Sequence, residues 1–277
     1  MAVYHIRHKI FSRSTHDTVG VLAYCTGTTL TNGMTQEVAD YSQKPVQHVE
    51  VLLPTYAASW AHELKDLVAT HRTVGIQKLS DFVESYEKRV DSQVYRELEL
   101  SLPVELSDEQ NIKLVNEFIK DECCTRGMVA IQNFHFNVDA ATGQRNPHCH
   151  TLLLTRVLTQ KGLSSKKSRE WNQRSFHDML MKKWADYQNN HLARHGFEAE
   201  VYYKTYEDKE FEIALNPREQ AENFSDYRAS KQEKDPLPLF PTWMGSMFQR
   251  IKKNVQKLWM WKPFRGKPMK PSAGENP

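Results

Sequence analysis

No apolar run in this chain approaches the ~18 residues that a membrane-spanning helix requires, which argues against an integral membrane protein. The opening MAVYHIRHKI has no apolar stretch of the secretory kind, so no such leader is expected. The four cysteines, Cys25, Cys123, Cys124 and Cys149, lack the spacing of a disulfide framework. They read as free thiols in a reducing, cytoplasmic compartment. Internal repeats are also missing. What is present is 277 residues, 39 % hydrophobic and 26 % charged, enough for one large domain, with or without an appendage, and for its core.

Net charge of one sign is scarce too, only +3, but its distribution is uneven. Positions 236–277 hold eight Lys/Arg against the single acid Glu275, together with seven of the twelve prolines and three of the six tryptophans. The other 235 residues carry 29 basic and 33 acidic groups, a net of −4. A body with that balance attracts nucleic acid only through a local patch or a bound cation.

The pattern predicts strands over 3–8, 49–53, 95–102, 128–136 and 148–157. Helices are predicted over 19–24, 56–71, 76–90, 109–123 and 168–195. Ser14 to Asp17 offer capping groups to the first helix and Gly27 a stop. Ser107 and Asp108 cap the fourth, and Gly196 ends the last. Strands and helices alternate too irregularly for crossover connections throughout. The expected fold is α+β, a mostly antiparallel central sheet flanked by helices.

Chemistry concentrates in Asn146-Pro147-His148-Cys149-His150. Residues two apart in a strand share a face, so His148 and His150 aim at one point and Cys149 turns away from it. Alone, such a pair is more commonly two strand-end histidines with ordinary hydrogen bonds. The preceding strand alters the balance: Val129, Ile131, Asn133 and His135 share a face, and the short connection to His148 suits a hairpin. Three imidazoles on one rim make an open metal site rather than a closed structural one. In 95–102, Leu98, Leu100 and Leu102 form a core face, while Glu97 and Glu99 share the other. There they are either solvated or placed beside the imidazoles, as orienting groups or proton acceptors.

These residues resemble the MobA/MobL mobilisation relaxases of the His-hydrophobic-His endonucleases. The blocks are AVYHIRHKIFSRS, VGVLAYCTGTTL, ADYSQKPVQHVEVLLP, YRELELSLPVELS, GQRNPHCHTLLLTR and REWNQRSFHDMLMKKWADYQNNHLARHGFEAEV, together about 1–205. The resemblance implies Tyr24 as nucleophile, with Tyr41 a rival in the same region. It further implies His135, His148 and His150 as ligands of a divalent ion, Mg or Mn, and Glu97 and Glu99 as supporting groups. It implies nicking and rejoining of single-stranded DNA at a plasmid transfer origin, in a bacterial cytoplasm. Accessory relaxosome proteins and a type IV secretion coupling protein are the implied partners. Two places depart from the family pattern: Cys25 follows the tyrosine where many members carry Arg, and Val201-Tyr202-Tyr203 replaces the usual run after the long helix.

Lys166, Lys167, Arg169, Trp171 and Arg174 read as DNA-binding groups through stacking and phosphate contacts, or as a solvated basic loop. The expected domains are a nicking domain over 1–215, a linker over 216–241 and a basic amphipathic tail over 242–277. In that tail Met244, Met247, Phe248, Ile251, Val255, Leu258 and Trp259 recur at helical spacing among Arg250, Lys252, Lys253 and Lys257. Such a helix suits an anionic membrane surface, DNA phosphates, a secretion partner or packing on the body. Two rival functions stand: a rolling-circle replication initiator, with the same chemistry, and a non-enzymatic metal- or DNA-binding module acting through the tail.

Overall fold

The computed structural model describes residues 4–138, 143–198 and 200–203. The expected linker 216–241 and tail 242–277 lie outside them. Five strands make the central sheet: β1 (Ile6–Ser12), β4 (His48–Leu52), β5 (Gln93–Ser101), β6 (Ala130–His135) and β7 (His148–Leu154). Their order is β1-β5-β7-β6-β4, and every neighbouring pair is antiparallel. The α+β expectation therefore holds, with flanking helices α1 (Thr18–Thr26), α2 (Ser59–Thr70), α3 (Arg72–Tyr86), α4 (Asp108–Glu122) and α5 (Arg174–Arg194).

Strand alternation divides the molecule into two cores. Leu98, Leu100, Cys149, Phe134 and Leu153 face one side, where Leu114 and Phe118 of α4 and Trp184 and Leu192 of α5 pack on them. Val51, Tyr95, Ile131, Leu152 and Leu154 face the other, beneath Leu22 of α1, Val68 of α2 and Ile76 and Leu79 of α3. On this second face the apolar positions occupy one end of the strands. The other end of the same face is polar: Glu97, Glu99, Asn133, His135, His148 and His150 fall there by period-two alternation. The sheet thus buries apolar side chains along the length of one face, and on the other confines them to one end and leaves a chemical platform at the other end.

Local signals explain most boundaries. Ser107 caps α4 through a reciprocal pair, with Gln110 N–H donating to Ser107 Oγ at 3.2 Å and Ser107 N–H donating to Gln110 Oε1 at 2.8 Å. At α1 the expected capping fails: Asp17 occupies the N-cap position, but its side chain accepts no cap hydrogen bond. Four short strands were not predicted. β2 (Thr29–Thr31) pairs with β3 (Val38–Asp40), and β8 (Arg156–Thr159) pairs with β9 (Gly162–Lys167). Each is too short and too polar to show periodicity. The predicted strand 148–157 accordingly breaks at Thr155 into β7 and β8. The predicted helix 168–195 opens instead as a 3₁₀ turn, Arg169–Asn172, before α5.

Gly27 ends α1 with φ at 62°, a left-handed conformation that only glycine adopts without strain. A Cβ there would lie 2.8 Å from the Lys44 carbonyl oxygen and 2.9 Å from Val46 Cγ2. Backbone sign and close approach both demand glycine, so the 44–46 segment lies hard against the end of α1. Gly27→Ala should destabilise the fold by about 1–3 kcal/mol, read as a lower urea midpoint at unchanged m-value. An unchanged midpoint would mean the segment can yield freely.

Candidate metal centre

In the register of the sheet, His148 lies opposite His135 on one side and Ser101 on the other, and His150 lies opposite Asn133 and Glu99. The three rings converge, with centroids 5.0 Å apart for His135 and His148, 5.4 Å for His135 and His150, and 5.2 Å for His148 and His150. One nitrogen of each lies within 4.8 Å of the other two. Among the described residues no other group of three potential ligands gathers in this way.

Which nitrogens face one another follows from the outer hydrogen bonds. His135 Nδ1 donates to the Pro45 carbonyl at 3.2 Å, His148 Nδ1 to the Asn146 carbonyl at 2.9 Å, and His150 Nδ1 to Glu97 Oε1 at 2.8 Å. Carbonyls and an ionised carboxylate only accept, so each Nδ1 must carry a proton. In a neutral ring that leaves Nε2 with the lone pair. His135 Nε2 is buried and has no hydrogen-bond partner, an orphan that a cation would satisfy. Burial pushes the His135 imidazole down to about 3, helped by the charges of Lys44, His148 and His150. Burial also lowers His148. Three convergent imidazoles with oriented outer partners are the donor set of an open divalent-metal site.

The two glutamates divide their tasks. Glu97 is buried and orients His150. Glu99 is half-buried, sits 3.8 Å from the Arg7 guanidinium and raises the proton affinity of His148. It also lines a cleft of about 570 Å³ with His5, Ser101, Arg145 and His148, which opens beside the imidazoles. Cys149 faces the opposite core, where burial drives its thiol up to about 12. The four cysteines are free and buried.

Tyr24 stands out within α1. The residues around it, Leu22, Ala23, Cys25 and Thr26, are buried, whereas Tyr24 is 49 % exposed. A tyrosine serving only to pack would face the core. Tyr41 is 40 % exposed and presents its edge to the Tyr24 ring at a centroid distance of 5.4 Å. Gly27 and the 44–46 segment connect α1 with Pro45, whose carbonyl orients His135. Neither Lys44 nor the Pro45 and Asn146 carbonyls were anticipated; backbone acceptors leave no signature in residue type.

The basic group separates. Trp171 is 4 % exposed and packs in the α4–α5 core, which removes it from any base-stacking role. Lys167 is held by Glu87 at 2.7 Å, and Arg174 is exposed near Asp178. Lys166 and Arg169 are exposed and line a second cleft with Gln93, Thr155 and Arg156. That cleft lies at the opposite end of β5 and β7, roughly 20 Å along the strands from the histidines. It is therefore not part of the metal platform.

An antiparallel sheet with flanking helices thus brings three imidazoles together at one rim, and α1 presents an exposed tyrosine. The comparisons supply the family. The MobA/MobL family model matches residues 16–222, and the chain belongs to the MobA/MobL family. It is 34 % identical over 170 residues to "Conjugal transfer protein TraA" of Rhizobium radiobacter, covering 60 % of this chain and 15 % of that protein. It is 28 % identical over 236 residues to "Mobilization protein MobL" of Acidithiobacillus ferridurans, covering 74 % of this chain and 58 % of that one. It thus spans only part of the length of these relatives. A solved structure described as "Molecular Basis of Vancomycin Resistance Transfer in Staphylococcus aureus" superposes with a TM-score of 0.63 at 28 % identity, over 74 % of this chain and all of that one.

Two outcomes follow from the geometry. Glu97→Ala frees His150 to rotate and should weaken divalent-ion binding by about 10–100-fold, measured by calorimetry with Mn²⁺ as the probe; unchanged affinity would remove Glu97 from the site. Because His135 and His148 are depressed from 6.5, the unfolded chain binds more protons below that pH than the folded one. Stability of the metal-free protein should therefore fall as pH drops from 6.5 toward about 3. His135→Gln should flatten that slope in urea titrations.

Proposed function

We propose that this protein nicks and rejoins single-stranded DNA at a plasmid transfer origin, with Tyr24 as nucleophile. The observation that carries the reading is three imidazoles sharing one point, in a fold whose one exposed α1 aromatic is Tyr24. The names of the relatives, conjugal transfer and mobilization proteins, support the setting.

A phosphodiester resists attack because its anionic oxygens repel nucleophiles and its alkoxide leaves poorly. A divalent ion on the three Nε2 atoms would supply Lewis-acid polarisation of a non-bridging oxygen. Of the two ions expected, Mn²⁺ suits nitrogen ligands better than Mg²⁺, which prefers oxygen. Tyr24 Oη attacks phosphorus as its proton passes to water. The Oη–P bond forms, the P–O3′ bond breaks, and the 3′ oxygen takes up a proton. Glu97 holds His150 throughout, and Glu99 adds negative charge beside His148. The resulting aryl phosphodiester conserves the bond energy that hydrolysis would dissipate, so the freed 3′-hydroxyl can reverse the step and reseal the strand. Exposed Lys166, Arg169 and Arg174 offer phosphate contacts remote from the reacting bond. The basic segment 242–277 is proposed to dock an accessory or coupling partner, or an anionic membrane surface, in the bacterial cytoplasm.

The test uses the full chain, Mn²⁺ and a random-sequence pool of single-stranded oligonucleotides. A denaturant-resistant adduct should form with 3′-labelled strands and not with 5′-labelled ones, since the phosphotyrosine keeps the 3′ segment. Tyr24→Phe should lower adduct formation by at least ~10³-fold, and chelation of the metal should abolish it. An adduct undiminished in Tyr24→Phe would overturn the assignment and point to Tyr41.

A further inference from the structure

One charged side chain beside the phenol is explained neither by the family resemblance nor by the imidazoles. Lys44 Nζ lies 3.4 Å from the centroid of the Tyr24 ring and donates to the Tyr24 carbonyl at 3.0 Å. Its amide donates to the Tyr41 carbonyl at 2.9 Å, and the Tyr41 ring meets the Tyr24 ring edge-on at 90°. One turn therefore grips the phenol twice, by an ammonium against its ring and by an aromatic edge. The next residue, Pro45, orients His135 through its carbonyl. The Lys44 charge also reaches His135 and His148, where it disfavours protonation.

The lysine is half-buried and makes no ion pair among the described residues. Burial lowers its proton affinity, and only the more remote charges of Cys25 and Glu97 offset this. Its partners are instead the Tyr24 carbonyl and the Tyr24 ring, a hydrogen bond and a cation–π contact on one residue. Its useful feature is position: it sits against an aromatic ring whose oxygen must gain negative charge, within electrostatic reach of the imidazoles.

We propose that Lys44 is the positioning residue of the Tyr24 phenol, clamping the ring against α1 so that its oxygen is held in place for attack. This rests on the reading of Tyr24 as nucleophile. The geometry accounts for its attachment at both ends. The carbonyl bond anchors the ammonium to α1, and the turn ties it to the segment that orients His135, so phenol and imidazoles are held by one short stretch of chain. The rigid link matters because a misplacement of ~1 Å at a reacting centre costs about 10²-fold in rate.

The experiment compares Lys44→Met, which keeps the stem and removes the charge, with Lys44→Arg, in the full chain. The probe is the oligonucleotide recovered from the random pool as an adduct. At saturating strand, Lys44→Met should slow adduct formation by about 10–100-fold, with the half-saturating concentration changed less than ~3-fold, and Lys44→Arg should restore most of the rate. A loss confined to half-saturation, with a shallower salt dependence, would make Lys44 a phosphate contact and overturn the proposal. A second readout needs no DNA: 3-fluorotyrosine placed at position 24 and observed by fluorine resonance. Lys44→Met should move that resonance toward its unfolded position and Lys44→Arg should not. A resonance that stays put in folded Lys44→Met overturns the positioning role. If Tyr24→Phe retains the adduct, the nucleophile reading fails instead, while the fluorine signal still reports whether Lys44 holds the ring.

Discussion

Three imidazoles can face one cation only if each keeps its proton on the far nitrogen, and everything else at this centre depends on that condition. The Pro45 and Asn146 carbonyls and the Glu97 carboxylate fix it from three different segments. None of these acceptors can donate, so the tautomer is decided by the chain rather than by the ion. Burial then disfavours the protonated ring at His135 and His148, more strongly at His135. With the outer nitrogens carrying the protons, the inner nitrogens would turn lone pairs toward a cation.

The same condition explains the division of the sheet. A polar cluster at the centre of an apolar face would leave unsatisfied groups and interrupt the packing of α1–α3. Placing it at one end of β5, β6 and β7 lets Tyr95, Ile131, Leu152 and Leu154 build a continuous core at the other end. The opposite face packs Leu98, Leu100, Cys149 and Leu153 against α4 and α5, around the buried polar side chains Arg96, Gln132 and Thr151. Stability and chemistry thus draw on different positions of the same three strands, separated by the alternation of side chains.

Much of this was legible in the sequence because it depends on period two. The split of Leu98 and Leu100 from Glu97 and Glu99, and of His148 and His150 from Cys149, needs only the strand geometry. The convergence of His135 on that pair follows from a hairpin. What stayed hidden depends on backbone atoms or on packing at a distance. The carbonyls of Pro45 and Asn146 could come from any residue type. Trp171 looked available among Lys166, Lys167 and Arg169, yet a 3₁₀ turn directs it into the core while its neighbours stay outside. Lys167 belongs to a run that reads as DNA-binding or as a solvated basic loop; Glu87, 80 positions earlier, takes it. The short strands β2, β3, β8 and β9 had too few residues to show a period at all.

The phenol presents a harder physical problem than the metal, since the role proposed for it requires a side chain that is both exposed and immobile. Tyr24 lies on a helix whose other nearby side chains are buried, so α1 itself is held by the core and the exposed ring extends from a fixed base. The helix stops three residues later at Gly27, where the absence of a Cβ lets the 44–46 segment close against it. That closure brings Lys44 and Tyr41 to the ring and carries the Pro45 carbonyl to His135. A side chain added at Gly27 would therefore act on more than a turn: it would push on the stretch that connects the phenol to the imidazoles. The left-handed glycine, the tyrosine before it and the acceptor beyond Lys44 form a single mechanical unit, in which local backbone geometry decides whether two distant parts of the sequence meet.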